Sequence, residues 1–403
     1  MNKKLVLITA GFPFGTHETF LETEIAYLSE GFEQVTIVTV DATSTEQRPV
    51  PSNCNVVALT AQLSGVEKWL SILGILNRCV WQEFNIINNI YHQRLTLGKL
   101  KTMLISLARA KKIRRKLNKR ILLKHNTVLY SYWCDDAALA IAMFNKYNKV
   151  VTVSRVHGWD LYFNVHALNY LPFRHYITNQ LNAVYPISQK GKDYITEKWK
   201  VSNPSNLIPS RLGVSAQRKV IPSGTFTLVS CSNLIPLKRV ELIVGALSYI
   251  HDISLVWVHF GDGPEGERLE RLAKEQLRPN ITCIFKGHIS NEALMEWYRE
   301  NSPSLFINVS SSEGIPVSIM EAMSFGIPVI ATNVGGNGEI VNDSNGKLLS
   351  DHPSTQEVAE AICEFFDSSI AEAKGEAAYL TWKEMYNADA NYREFVKTLQ
   401  NIT

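Results

Sequence analysis

Ser310-Ser-Ser-Glu-Gly-Ile-Pro-Val-Ser-Ile-Met-Glu321 decides the reading of this chain. The run before it, Leu305-Phe-Ile-Asn-Val309, has the composition of a short buried strand. It leads into small residues, a carboxylate and a glycine. Pro316 then stands where a helix begins, a place that tolerates proline because its missing N–H has no intrahelical partner there. The spacing predicts a helix over 317–325, with Glu313 in the loop ahead of it and Glu321 about one turn inside. Free backbone N–H groups and the positive end of the helix dipole point into the loop mouth. That geometry suits a diphosphate flanked by hydroxyl-bearing groups. An ordinary strand–turn–helix unit with two solvated glutamates has the same local pattern, so the stretch by itself leaves both readings open.

Outward from this stretch, the second half alternates strands and helices. Strands are expected over 225–230, 255–260, 281–285, 305–309 and 329–332, and helices over 239–250, 265–276, 291–300 and 355–366 and from Ala371 onward. The first half shows strand patterns over 5–9, 35–40, 55–59, 127–132, 150–154, 183–186 and 206–209. Strands alternating with helices mean βαβ units and a doubly wound parallel sheet. Residues 214–224 lack periodicity and carry Pro and Gly, which marks an interdomain linker. The expected division is 1–213, linker 214–224, 225–385, and a C-terminal helix over 386–403 that returns to the first domain. At 403 residues, two domains are the default.

Composition is that of a globular protein, 45% apolar and 20% charged. Charge is unevenly placed. Residues 84–134 hold twelve Lys/Arg and no Asp or Glu, which leaves −9 for the rest of a chain whose net charge is +3. Within them 99–124 reads as one long basic helix carrying Leu100, Leu104, Leu107 and Ile113 among its cations, a pattern shared by interfacial membrane helices and by solvated faces of core-packed ones. Residues 66–84 are amphipathic, with Trp69, Leu70, Leu73, Leu76, Val80 and Trp81 at helical spacing. Met-Asn-Lys-Lys followed by Leu5-Val-Leu-Ile8 is too short an apolar core for a signal peptide and reads as a buried first strand. No run approaches 18 apolar residues. The six cysteines are dispersed, without Cys-x-x-Cys, and are expected as buried thiols rather than disulfides or zinc ligands.

Three further constellations carry chemistry. Gly261-Asp-Gly-Pro-Glu-Gly266 has the spacing of a dinucleotide fingerprint, but Pro264 and Glu265 stand where a pyrophosphate would lie and no acid follows strand 281–285 to hold a ribose. Lys238 and Arg239 sit near a helix start, where the dipole does not favour cations, and so point to an anion to be neutralised; a solvated basic turn is the plain alternative. His157, in Arg155-Val-His-Gly-Trp-Asp160, follows a strand and has Arg155 and Asp160 as neighbours, so a functional and a structural role are both open. No Asp-x-Asp, His-x-x-x-His or Gly-x-Ser-x-Gly occurs, so no obligatory metal and no serine-hydrolase chemistry are expected.

Taken together, Glu313 to Glu321 as E-x7-E, Gly326-Ile-Pro-Val-Ile-Ala-Thr-Asn-Val-Gly-Gly336, Glu339, Gly261-Asp-Gly263, Phe285-Lys-Gly287 and Lys238 resemble the retaining family 4 glycosyltransferases of the GT-B fold. Glu18-Thr-Phe-Leu-Glu-Thr-Glu24, Tyr130-Ser-Tyr-Trp133, Ser230-Cys-Ser-Asn-Leu234 and Asn391-Tyr-Arg-Glu-Phe395 resemble the subgroup that builds O-antigen, capsule or exopolysaccharide. The resemblance implies an α/β architecture of two Rossmann-like, doubly wound parallel-sheet domains facing a cleft. The first domain would bind the acceptor and the second a UDP- or GDP-sugar. It implies that Glu313 contacts the donor sugar, that N–H groups around Gly314, Ile315 and Val317 meet sugar and diphosphate, and that Glu321 binds ribose. Lys238 would stabilise the leaving diphosphate, with Gly261 and Gly263 nearby and Lys286 and Gly287 at the base. His157 would lie near the reaction centre, and the Gly15 loop with Glu18 and Asp160 would approach phosphates or acceptor. The family places Arg where Asn233 stands here, and Gly where Arg239 stands; Arg239, Arg155 or Arg211 is available to compensate.

The function implied is transfer of a hexose to a lipid-linked oligosaccharide, with retention of configuration and without metal or other cofactor. The protein would be cytoplasmic and peripheral on an anionic inner membrane face through 99–124; nucleic acid is not an expected partner. The rivals are another GT-B activity, such as a sugar-nucleotide epimerase or a phosphorylase, and a non-catalytic nucleotide-sugar-binding protein.

Overall fold

The computed structural model describes residues 3–15, 18–121, 126–144, 150–217, 219–221 and 224–402. The chain forms two compact units, Met1–Arg211 with Tyr392–Thr403, and Leu212–Asn391. Each holds one six-stranded, all-parallel sheet.

In the first unit the strands are β1 (Lys4–Thr9), β2 (Gln34–Thr39), β3 (Cys54–Ala58), β4 (Thr127–Ser131), β5 (Val151–Val156) and β6 (Ala183–Pro186), in the order β3-β2-β1-β4-β5-β6. Its helices are α1 (Leu21–Gly31), α2 (Gly65–Leu70), α3 (Arg78–Asn85), α4 (Leu97–Arg120), α5 (Asp136–Ala142), α6 (Arg174–Gln180) and α7 (Gln189–Tyr194). Alternation within β1 explains the layers: Leu5 and Leu7 face one side and Val6 and Ile8 the other. The first pair joins Ile25, Leu28, Phe395 and Leu399; the second joins Met103, Leu107, Ile113 and Ile141. Both faces are covered, as an all-parallel sheet requires.

The second unit contains β7 (Phe226–Cys231), β8 (Leu255–Phe260), β9 (Ile281–Phe285), β10 (Leu305–Asn308), β11 (Val329–Thr332) and β12 (Gly346–Leu349), ordered β12-β11-β10-β7-β8-β9. Its helices are α8 (Glu241–Leu247), α9 (Gly266–Gln276), α10 (Asn291–Asn301), α11 (Val317–Ser324), α12 (Asn337–Ile340), α13 (Thr355–Glu364) and α14 (Ser368–Met385); α15 (Ala388–Asn401) ends the chain. Ser354 and Glu357 form a capping box that starts α13, and Ser290 caps α10. By rank the two strand orders are the same. In each the order reverses beside the unit's first strand, between β1 and β4 and between β7 and β10. Ligands of doubly wound sheets bind at the carboxyl ends of strands at such a reversal.

Several expectations are corrected. The 206–209 stretch makes a 3-10 turn, Pro204–Asn206, and one bridge from Leu207 to Val184, because Pro204 and Asn203 favour a turn. β12 was not anticipated; its Gly-Lys-Leu-Leu shows no alternation, and it pairs at the sheet edge. Within residues 214–224, Val214 and Val220 are anchored by backbone hydrogen bonds, while Ser215, Ala216, Ile221 and Gly224 are exposed. Val214 bonds with Tyr386 and Ala388, Trp382 Nε1 donates to the Val214 carbonyl at 3.3 Å, and Val220 N donates to Phe325. Arg218, Pro222 and Ser223 lie outside the described residues, as does Lys124 of the basic segment. Residues 66–84 are not one helix: α2 passes into a 3-10 helix, Ser71–Leu76, before α3, since Gly74 and Asn77 interrupt them. Of the six free cysteines only Cys134 is buried, and Cys363 is exposed at the end of α13.

Candidate functional site

The organising stretch of the sequence lies at the order reversal of the second sheet. β7 and β10 are neighbours, so the loops after them leave side by side. The loop after β10 is pinned at successive points. Ser310 N donates to Asn308 Oδ1 at 3.1 Å, Thr332 Oγ1 donates to the Ser310 carbonyl at 2.6 Å, and Ser311 N donates to the Leu237 carbonyl at 2.8 Å. Gly336 N donates to the Gly314 carbonyl at 2.6 Å. Gly335 has φ +51°, and a Cβ there would stand 1.8 Å from the Glu313 carbonyl oxygen, so only glycine fits.

This pinning holds Glu313 in front of α11. Its Oε1 accepts from Lys238 Nζ at 2.5 Å and from Asn308 Nδ2 at 3.3 Å. Lys238 ends the 3-10 turn Pro236–Lys238, whose Leu237 carbonyl accepts from Ser311 N. Both side chains are largely buried. Pro316 is the cap residue of α11, and Val317 is the first helical position. Glu321 is buried within the helix and makes no ion pair among the described residues. Asn291 Nδ2, at the start of α10, donates to its Oε1 at 2.5 Å. Burial pushes its carboxyl up to about 7, against the opposing pull of the Asn291 bond.

The Gly261 and Gly263 region packs on the loop after β7. Their φ values are +123° and +155°, and a Cβ on each would stand 2.0 Å from the Ser232 carbonyl and 2.5 Å from that of Leu234. Leu234 N donates to the Asp262 carbonyl at 2.8 Å. Loop-to-loop packing thus accounts for these glycines without a pyrophosphate. His259 steadies the same loop. Its Nε2 meets the Ser232 carbonyl at 3.1 Å and can only donate there, so Nδ1 accepts from Ser230 Oγ at 2.8 Å. Burial takes this imidazole down to about 4, so it is neutral. Lys286 is exposed, and Gly287 takes φ +67° and accepts from Gly261 N at 2.9 Å.

Asn233 is exposed at the loop tip. Arg239 has φ +48°, which explains why glycine suits the position. Its guanidinium bonds the Val309 and Ser310 carbonyls, each at 2.8 Å, so two of its nitrogens hold the loop after β10. Arg155 is fully buried: Nε donates to Tyr130 Oη at 3.0 Å, Nη2 lies 3.5 Å from Glu24, and the guanidinium sits over the Phe395 ring. That engagement holds it in the core of the first unit. Arg211 Nε is buried without a hydrogen-bond partner among the described residues.

In the first unit, the loop after β1 contains Gly15 at φ +67°; Thr16 and His17 lie outside the described residues. Glu18 takes a left-handed φ of +58° and turns its carboxylate back into the loop. It accepts from Ala10, Gly11 and Phe12 N–H at 3.1, 2.8 and 2.7 Å and from Trp133 Nε1 at 2.6 Å. A carboxylate with four donors is a fixed structural anion. Asp160 joins two strand ends, accepting from Cys134 N and His157 N, both at 2.7 Å.

Between these anchors His157 is enclosed by Phe20, Tyr132 and Trp133, with ring centroids at 6.0, 4.7 and 4.5 Å. Burial, then the charge of Arg155, holds its pKa well below the usual value, so it is a neutral imidazole. Neither ring nitrogen has a partner among the described residues. A buried imidazole with one free donor and one free acceptor is poised for a ligand bearing hydroxyls.

Of the residues singled out from the sequence, Glu313, Glu321 and Lys238 lie at the reversal of the second sheet, and Glu18, Asp160 and His157 at that of the first. Sequence reasoning missed Asn291, Asn308 and His259. Among the described residues no group of three or more His, Cys, Asp or Glu is placed to hold a metal ion, and no helix is long and apolar enough to cross a membrane.

Residues 215–379 match the family model of glycosyl transferases group 1. The GDP-mannose-dependent alpha-mannosyltransferase of Corynebacterium glutamicum is 31% identical over 158 residues, 39% of this chain and 35% of that protein. The O-antigen biosynthesis glycosyltransferase WbnH of Escherichia coli is 27% identical over 195 residues, 48% of this chain and 54% of that one. The matches thus span about a third to about half of these relatives' own length. Anabaena HepE in complex with UDP-glucose superposes with a TM-score of 0.65 at 16% identity, over 99% of each chain, a likeness of fold alone. The chain has the two-domain GT-B fold, and its 215–379 segment carries the glycosyl transferases group 1 signature.

Proposed function

We propose that this protein is a retaining, metal-independent glycosyltransferase that moves a hexose from a UDP- or GDP-sugar to a lipid-linked oligosaccharide in the assembly of bacterial surface polysaccharide. The observation that carries the reading is the Lys238–Glu313 pair, 2.5 Å apart, held ahead of α11 by glycines that admit no side chain. A diphosphate entering there takes Lys238 as its partner, with the free N–H groups at Gly314, Ile315 and Val317 as further donors. Glu313, released from Lys238, accepts from the sugar hydroxyls. Glu321 accepts from ribose. Lys286 and Gly287 border the base, and Asn233 gives a neutral donor at the position where arginine is usual.

Retention follows a front-face course. The bond from the sugar's C1 to the diphosphate oxygen breaks, the acceptor oxygen bonds to C1 from the same side, and the acceptor proton passes to the departing phosphate. Lys238 stabilises the charge that develops on the leaving group, the task a metal performs elsewhere. We assign His157, in the first unit, to ligand hydroxyls as a neutral donor–acceptor. The Gly15 loop, Glu18 and Asp160 shape the acceptor side. The GDP-mannose dependence of one relative, the O-antigen role of another and the UDP-glucose held by a neighbour of the same fold support the donor and pathway. A lipid-linked acceptor places the protein at the anionic inner face of a membrane, where the cations of 99–124 would dock.

The test is transfer of labelled sugar from UDP- and GDP-sugars into the lipid extract of a polysaccharide-producing membrane. Product must form with the anomeric configuration of the donor. Glu313→Ala should lower turnover by at least about a hundredfold at unchanged melting temperature. Undiminished activity in that variant would remove the assignment.

A further inference from the structure

The segment joining β3 to α4 is amphipathic, yet its orientation is inverted. Gly74 of the 3-10 helix Ser71–Leu76 lies directly on α4: a Cβ there would meet Leu104 at 3.1 Å and Leu107 at 3.5 Å. Ile75, Cys79 and Phe84 pack toward the core. The apolar stripe made by Val66, Trp69, Leu70, Ile72, Leu73 and Leu76 therefore points to solvent. Leu76 is 81% and Trp69 75% exposed, and Trp81 of α3 follows at 58%. Scattered exposed leucines are ordinary, but a contiguous helical stripe of this size marks an interaction surface.

The ridge is rigidly mounted. Ser64 and Glu67 form a capping box at the start of α2, and Lys112 Nζ of α4 binds Glu67 at 2.7 Å and the Gln62 carbonyl at 2.8 Å. Lys116 and Arg120 bond the Thr60 and Ala58 carbonyls, and Arg109 pairs with Asp41 and Asp136. Those cations of the basic segment are consumed internally. Others remain around the ridge: Lys68 and Arg78 are exposed on it, Arg115 and Lys119 are exposed on α4, and Lys111 lies near Cys79. The acids of 60–134 are Glu67, held by Lys112, and Glu83, buried beneath Tyr170 and Phe173.

We infer that the ridge over 65–76 inserts its apolar face into the headgroup–acyl boundary of an anionic lipid bilayer, with Trp69 and Trp81 at the interface and the surrounding cations on the lipid phosphates. The inference deepens the membrane reading above and rests on it for the choice of partner. What the structure adds is that binding is driven by the ridge, while the 99–124 cations confer preference for anionic lipid. Charge decides between a bilayer and a second copy of this chain. A two-fold contact through the ridge would bring its basic rim against itself, whereas anionic headgroups complement it. Interfacial tryptophans and a basic rim around an apolar stripe are the chemistry of in-plane insertion.

The experiment is flotation of the whole protein with phosphatidylcholine vesicles containing about a third phosphatidylglycerol, at low salt and at about 0.5 M, where surface charge is screened. Wild type should float in both, more weakly in the second. Leu73→Ser/Leu76→Ser should lose on the order of a hundredfold in partitioning, about tenfold for each leucine withdrawn from lipid. Lys111→Glu/Arg115→Glu should lose the preference for anionic over neutral vesicles but keep binding the neutral ones as wild type does. Because the two leucines are exposed, the melting temperature should not change, and Trp69→Ser serves as an independent second variant. Flotation of the leucine variant equal to wild type overturns the inference. So does wild type that ignores vesicles yet self-associates in sedimentation through the same leucines. Nucleotide-sugar binding is measured in solution on the same variants, so a failed docking surface is distinguished from a failed transferase reading.

Discussion

Glu313 and Glu321 are the same residue type eight positions apart, and their surroundings differ. Glu313 has the Lys238 ammonium at 2.5 Å. Among the described residues Glu321 has the Asn291 amide and no ion-pair partner, and burial lifts its carboxyl to about 7. An ionised carboxylate can accept from both ribose hydroxyls, whereas the protonated acid must spend one oxygen as a donor. Nucleotide-sugar binding should therefore favour the ionised form and tighten as pH rises from 6 to 8, through the folded pKa near 7. Titration calorimetry should show this dependence in wild type and a flat profile in Glu321→Gln; weaker binding at pH 8 than at pH 6 would refute the ribose role. The glutamate pair was legible from its spacing. Asn291 and Asn308 were not, because their partners are fixed by how α10 and β10 lie against α11 and its loop, which no local pattern encodes. Arg155 shows the converse error: a cation next to His157 in sequence looks available, yet alternation along β5 turns its side chain into the core, where Glu24 and Tyr130 hold it.

At the scale of elements, the loop after β10 depends on backbones meeting without side chains between them. Gly335 is the tightest case, with its virtual Cβ 1.8 Å from the Glu313 carbonyl. Gly335→Ala should cost at least about 1–3 kcal/mol, which for a domain of this size lowers the melting temperature by several degrees, and it should weaken nucleotide-sugar binding by displacing Glu313. Calorimetry and titration of the variant check both; a protein that melts and binds as wild type would contradict the loop packing. The ridge over 65–76 shows how far periodicity reaches. The apolar stripe was plain in the sequence, but a stripe does not say whether core or solvent receives it. The contact of Gly74 with Leu104 and Leu107 settles that, and it depends on tertiary packing. The long helix α4 was legible from its leucine spacing; which of its cations are consumed by Gln62, Glu67 and Asp41 was not.

For the molecule as a whole, the repeated βαβ pattern sufficed to predict two doubly wound sheets, since buried parallel strands read as continuous apolar runs. The edge strand β12 escaped because a short edge pairing carries little period. The fold encloses acids in both units: burial raises Glu83 and Asp135 in the first, and Glu321 in the second, each to about 7. The folded chain then holds protons that the unfolded chain has released, so these groups add stability below the ordinary carboxylate range and lose it as pH rises through about 7. Glu83→Gln, which removes one of them, should gain melting temperature relative to wild type between pH 5 and pH 8; a gap that stays constant would contradict the enclosed, raised carboxyl. In the function we propose, the loops at the reversal of the second sheet hold a nucleotide diphosphate sugar between Lys238, Glu313 and Glu321. The most direct test of this is thermal unfolding of wild type and Lys238→Ala against a panel of UDP- and GDP-sugars. A ligand at 100 times its Kd adds about 2.7 kcal/mol. At least one sugar nucleotide should raise the wild-type transition by that order, and Lys238→Ala should lose most of the shift; a panel that leaves wild type unmoved, or shifts both proteins equally, would contradict this.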